Sequence, residues 1–184
     1  MEVILIAALS ADGFIAREKN EVSTKWTSKE DARWFRQKTT EIGVCIMGRT
    51  TFDTIGKPLP RRVIMVLSRT GQPIAKAPQM SKSQTESEGS VFVTNSTPAE
   101  IITQLATWGL EQVALCGGGT IYHQFLAANL VDRLFLTIEP ALFGSGISLS
   151  AGPLSTQLKL IQLHPLSENT IVLEYLVKKH QAKE

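Results

Sequence analysis

Five short runs of this chain are dominated by aliphatic residues: Val3–Leu9, Val44–Met47, Val63–Leu67, Val113–Cys116 and Leu134–Ile138. A strand with one wet face alternates apolar and polar side chains. A run without that alternation needs cover on both faces, as in a parallel sheet between helices. The segments between the runs carry helix signals. Ser28 is a good N-cap for a helix running to about Thr40. Asp31, three residues on, supplies a first-turn carboxylate as a capping box would, and Ala32 and Phe35 mark the inner side. Thr50–Thr54 reads as a short helical turn ended by Gly56 and the Pro58/Pro60 pair. Ser96 or Thr97 caps a helix with Pro98 at its start and Ile101, Ile102 and Leu105 inward, closed by Gly109. Gly119 opens a helix through Ala127. Near the end, Leu158–His164 and Ile171–Val177 flank Ser167-Glu168-Asn169 as an antiparallel hairpin. These signals predict an α/β fold: a mainly parallel central sheet flanked by helices, with antiparallel C-terminal edge strands.

The length, 184 residues, fits a single domain over 1–184. A net charge of +2 is too small to argue for nucleic acid, and none is expected as a partner. His123, His164 and His180 are scattered and there is no Cys-x-x-Cys pair, so no metal is expected. Cys45 and Cys116 lie in apolar runs and read as reduced core thiols. Val3–Leu9 reads as a buried strand rather than a signal peptide, and no run approaches the ~20 apolar residues of a membrane helix. A cytoplasmic protein without membrane association is expected. The polar stretch Arg17–Lys25 reads as a mobile loop, Gly71–Ser90 as a long polar connection and Lys178–Glu184 as a frayed charged tail.

Two stretches carry candidate chemistry. Cys116-Gly117-Gly118-Gly119-Thr120-Ile121-Tyr122 is a glycine turn between an apolar strand and a helix. Such a turn lets backbone approach a ligand and presents free helical N–H groups to an anion. Tight packing alone would also use it. Arg49 and Arg69 each follow the end of an apolar strand, with Thr50, Thr51 and Ser68 beside them. Ligands of open α/β sheets sit at such strand ends, and these groups suit pyrophosphate and a 2′-phosphate. Solvated surface arginines are the bland alternative. Asp31 stands close to Trp26, Trp34 and Phe35. It either complements the helix macrodipole or, walled by aromatics, mediates protonation of a bound ring.

These residues in this order resemble the dihydrofolate reductase superfamily. Ile46-Met47-Gly48-Arg49-Thr50-Thr51-Phe52, Ile55-Gly56-Lys57-Pro58-Leu59-Pro60 and the glycine turn are characteristic of dihydrofolate reductase itself. The resemblance implies a dihydrofolate reductase-like fold and NADPH as cofactor. Asp31 matches the single active-site acid, Thr137 the threonine that buttresses it, and Trp26 the tryptophan that orders an active-site water. Ile6 and Phe35 match pocket walls, and Arg62 the arginine that pairs with the folate α-carboxylate. Ala8, Ile15, Gly48, Arg49, Thr50, Thr51, Ser68, Arg69, Cys116, Gly117, Gly118, Gly119, Thr120, Ile121 and Tyr122 match positions lining NADPH. The implied reaction is hydride transfer to a C=N carbon with protonation of the neighbouring nitrogen.

Other stretches depart from that pattern. Ser10-Ala11-Asp12-Gly13, Lys25-Trp26-Thr27-Ser28 and Pro140-Ala141-Leu142-Phe143-Gly144-Ser145-Gly146 are similar to the reductase of riboflavin biosynthesis. The first reading is reduction of 7,8-dihydrofolate. The alternative is an NADPH-dependent reductase of a ribosylaminopyrimidine or another heterocycle. The third is a non-catalytic nucleotide-binding module. The partner in the first two is a small molecule, and the chain is a monomer or a homodimer.

Overall fold

A computed structural model describes residues 1–71 and 89–179. Most of the 71–90 connection and of the charged tail therefore lies outside the described residues. Ten strands and four α-helices are found there: β1 Glu2–Ser10, β2 Phe14–Ala16, α1 Lys29–Ile42, β3 Val44–Gly48, α2 Arg49–Ile55, β4 Val63–Leu67 and β5 Ser90–Thr94, then α3 Pro98–Thr107, β6 Gln112–Leu115, α4 Gly119–Ala127, β7 Arg133–Glu139, β8 Ile147–Ser148, β9 Gln157–Pro165 and β10 Ile171–Lys178. Eight of the strands form one sheet in the order β5-β4-β3-β6-β1-β7-β10-β9. All pairs from β5 to β7 are parallel, while β10 runs antiparallel to both β7 and β9. The expected sheet, with its antiparallel C-terminal edge, is the one observed.

The aliphatic runs are explained by cover on both faces. Val3, Leu5, Ala7 and Leu9 of β1 pack with Ile101, Leu105 and Phe125 of α3 and α4. Ile4 and Ile6 point the other way, into a cluster with Trp34, Phe35 and Ile42 of α1 and Phe52 of α2. Alternate side chains of one strand thus serve two apolar layers. Ile101 and Leu105 are fully buried, and each contributes roughly 1.5–3 kcal/mol by leaving water.

Local signals set the helix ends. Gly43, at φ 81°, closes α1 two residues beyond the expected Thr40. Thr97, rather than Ser96, caps α3, with Glu100 completing a reciprocal capping box. The capping box expected at α1 is only half present. The Ser28 hydroxyl accepts from the Asp31 N–H at 3.1 Å, but the Ser28 N–H donates to Glu139 Oε1 at 2.8 Å, leaving the Asp31 carboxylate uncommitted to the cap.

The stretch expected as a mobile loop, Arg17–Lys25, contains a 3₁₀ turn at Ser23–Lys25 and an Arg17–Glu21 ion pair at 2.8 Å. The small β2–β8 sheet was not expected. Strands of three and two residues are too short to carry a period. No helix among the described residues is long and apolar enough to cross a membrane.

Candidate functional site

Strands β1, β3, β4 and β6 end on the same side of the sheet, and a cleft of about 1960 Å³ opens there. Chain order builds its floor. From β1 the chain moves to β3, β4 and β5, then returns to insert β6 between β3 and β1. The turn after β6 therefore emerges in the middle of the cleft. Its Gly117–Gly118 peptide is cis, and Gly117 O accepts from Gly48 N at 2.8 Å. Every residue expected to touch substrate or cofactor lines this one cleft except Trp26 and Thr137.

The glycine side suits an extended phosphate-bearing ligand. Gly118 is the N-cap of α4 and supplies no side-chain cap, so the first N–H groups of that helix face the cleft without an internal acceptor. A Cβ on Gly48 would stand 3.0 Å from Ile121, and one on Gly119 would stand 2.8 Å from Ser148 O. Side chains are thus excluded from a cradle of backbone. Tyr122 Oη donates to Ile6 O at 2.7 Å and pins α4 to β1 behind it. Arg49 and Arg69 line the same side, with Arg49 loosely paired to Asp53 at 3.8 Å. An open helix end, a glycine cradle and two arginines fit the NADPH expected there.

Cys45 is fully buried, and Cys116 packs against the same apolar cluster while lying partly exposed on the cleft wall. A hydrogen bond with Cys45 and burial push the Cys116 thiol well up, partly offset by the Arg62 charge. It is a neutral lining group rather than a nucleophile.

At the other side Asp31 is 8% exposed. Burial raises its pKa above 3.8; the Thr137 hydroxyl opposes the shift, the Glu139 charge adds to it, and the Thr27 hydroxyl opposes it. Ile6 and Phe35 form adjacent walls. A carboxyl of this kind holds a proton more readily than a solvated acid and can form paired hydrogen bonds to a heterocycle edge.

Arg62 lies farther along, 4% exposed. Its Nη1 donates to Thr39 Oγ1 at 2.8 Å and its Nε to Pro60 O at 3.0 Å. Among the described residues no partner is found for Nη2. Arg36, Arg61 and Lys57 line the cleft with it.

Trp26 sits outside the lining. Its ring meets Phe143 edge-on at 4.9 Å, and its indole N–H is buried without a partner among the described residues. Arg17 covers the other approach to Phe143, 4.1 Å from the ring centre. Asp12 holds the same loop by accepting from Phe143 N and Gly144 N. Trp26 therefore stands behind the cleft lining rather than in it.

Sequence reasoning also missed Glu139, which lies on β7 beyond Thr137. The signal was an acid on the inward side of the strand Leu134-Phe135-Leu136-Thr137-Ile138-Glu139.

Comparison with known proteins agrees with this geometry. Dihydrofolate reductase from Haemophilus influenzae is 33% identical over 137 residues, covering 74% of this chain and 71% of that protein. A putative riboflavin biosynthesis protein from Shewanella sp. PV-4 superposes with a TM-score of 0.74 at 24% identity, over 97% of this chain and 100% of that one. Dihydrofolate reductase from Enterococcus faecalis, complexed with NADP(H) and RAB-propyl, superposes with a TM-score of 0.64 at 17% identity, over 97% of each chain. The family model described as dihydrofolate reductase matches residues 2–143, and with the acid, the glycine turn and the sheet all in place, the chain belongs to the dihydrofolate reductase family.

Proposed function

We propose that this protein reduces 7,8-dihydrofolate to tetrahydrofolate with NADPH. One observation carries the reading: Asp31, a buried carboxyl, lines the same cleft as the glycine turn. NADPH, when bound, supplies the hydride from its nicotinamide C4. The protein does the rest. Gly117–Thr120 and the first turn of α4 hold the phosphates, and Arg49 and Arg69 take the 2′-phosphate. Ala8, Ile15 and Tyr122 bound the nicotinamide end.

Asp31 hydrogen-bonds the amino-pyrimidine edge of the pterin and favours the protonated state at the ring nitrogen next to the carbon that receives the hydride. One C=N bond is reduced, with hydride to carbon and a proton to nitrogen. Phe35 and Ile6 wall the ring, and Arg62 takes the carboxylate of the tail through Nη2. We place the reaction in the cytoplasm.

A second reading has its own support. The fold superposes better on the Shewanella riboflavin biosynthesis protein than on the Enterococcus reductase. The Asp12-held loop of residues 140–146 also lies where the sequence is similar to riboflavin-pathway reductases. In that reading the same cleft reduces a ribosylaminopyrimidine. Steady-state NADPH oxidation with each substrate separates the two. Turnover of roughly 1–10³ per second with dihydrofolate, lost in Asp31→Asn, is expected. Turnover only with the aminopyrimidine would replace the first reading with the second.

A further inference from the structure

A second buried carboxylate lies behind the cleft acid, outside the cleft lining. Glu139 lies on β7 two residues beyond Thr137, so both side chains leave the strand on the face turned towards α1. It is 2% exposed. Its Oε1 accepts from the Ser28 N–H and the Ser28 hydroxyl, both at 2.8 Å, and its Oε2 accepts from the Thr170 hydroxyl at 3.2 Å. The Ser28 hydroxyl accepts in turn from the Asp31 N–H at 3.1 Å. One carboxylate therefore joins the first turn of α1, the end of β7 and the turn before β10. It reaches the backbone of the cleft acid through a single hydroxyl.

The ion pairs found among the described residues give Glu139 no cationic partner. Three donors and the N-terminus of α1 compensate a carboxylate here, but an amide could meet much of the same hydrogen-bonding need. The charge therefore asks for an explanation beyond capping.

We propose that Glu139 is a positioning residue: through Ser28 it sets the first turn of α1 and holds a second carboxylate beside the cleft acid Asp31. Glu139 faces Asp31 from β7 and the neutral phenol of Tyr122 faces it from α4; Glu30 is the neighbour on its own helix, and Thr137 and Thr27 bring only hydroxyls. A like charge beside a buried acid disfavours its ionisation. The effect on turnover rests on the proton role proposed above for Asp31. The effect on Asp31 itself does not.

The test is carboxyl-carbon NMR titration of the full chain labelled at aspartate, in wild type, Glu139→Asp and Glu139→Gln. The Asp31 midpoint is expected highest in wild type, lower in Glu139→Asp with its charge drawn back by one methylene, and lowest in Glu139→Gln. The high-pH limb of turnover should move the same way while NADPH affinity is kept. A purely structural Glu139 would change thermal stability and leave the Asp31 midpoint in place; that result, in either folded variant, overturns the inference. If Glu139→Gln fails to fold, Glu139→Asp decides alone. A midpoint that moves as expected in a chain inactive on every substrate named above supports the inference and sinks the proton role of Asp31.

Discussion

The N-termini of α1 and α4 both open on the cleft, and the chain finishes them in opposite ways. At α1, Ser28 caps with its hydroxyl, Glu139 takes the cap N–H, and Asp31 is kept within the first turn. At α4, Gly118 leaves the end bare. The first end is closed to outside anions by its own carboxylates. The second offers unspent N–H groups to them. In the proposed function the closed end meets the heterocycle and the open end the phosphates, so a ligand carrying both has a single sensible direction to lie.

The largest expected effect comes from neutralising the closed end. Asp31→Asn should lower turnover by about 10²–10⁴-fold, the range of general acid–base contributions, with NADPH affinity nearly unchanged. Equal loss of both, seen by fluorescence titration, would break the division between the two sides. Next comes the open end. Arg49→Ala with Arg69→Ala should narrow the preference for NADPH over NADH by about tenfold or more, as expected for losing charge-assisted hydrogen bonds of about 1.5–3 kcal/mol. An unchanged ratio removes both arginines from the phosphate site.

Gly118→Ser gives α4 the finish that α1 has. The added Cβ stands 3.3 Å from Thr51 Oγ1, and the hydroxyl can take a free N–H. NADPH binding should weaken while thermal stability holds or rises by a few tenths of a kcal/mol. Unweakened binding would show that those N–H groups are not used.

The smallest effect is on stability. Because burial raises the Asp31 pKa, the folded state binds the proton more tightly than the unfolded chain. Asp31 thus stabilises the fold most below 3.8, and that contribution is lost as pH rises through the folded value. Thermal melts should show Asp31→Asn gaining on wild type from acid towards neutral pH. A constant difference would contradict the raised pKa.

Much of this was legible in the sequence because its causes are local. Two-sided burial wrote the strands as aliphatic runs, so Val63–Leu67 and Gly119–Ala127 fall where they were expected. Ser28 and the glycine turn advertise themselves within a few residues. What escaped depends on distant partners. Glu139 meets Ser28 across 111 positions and Thr170 across 31, and no local pattern records either contact. Asp31 was expected to finish its own capping box, and only the arrival of Glu139 frees it. The contact of Trp26 with Phe143, far along the chain, is likewise written in no local pattern.

The late insertion of β6 also has a consequence for synthesis. Residues up to Thr94 can pair β3, β4 and β5, but β3 and β1 have no common neighbour until Gln112–Leu115 lies between them. A ribosome-bound chain lacking that strand has the acid and the arginines without the glycine turn that faces them. Under the proposed function, cofactor capture therefore waits until the chain has passed β6 and the glycine turn that follows it.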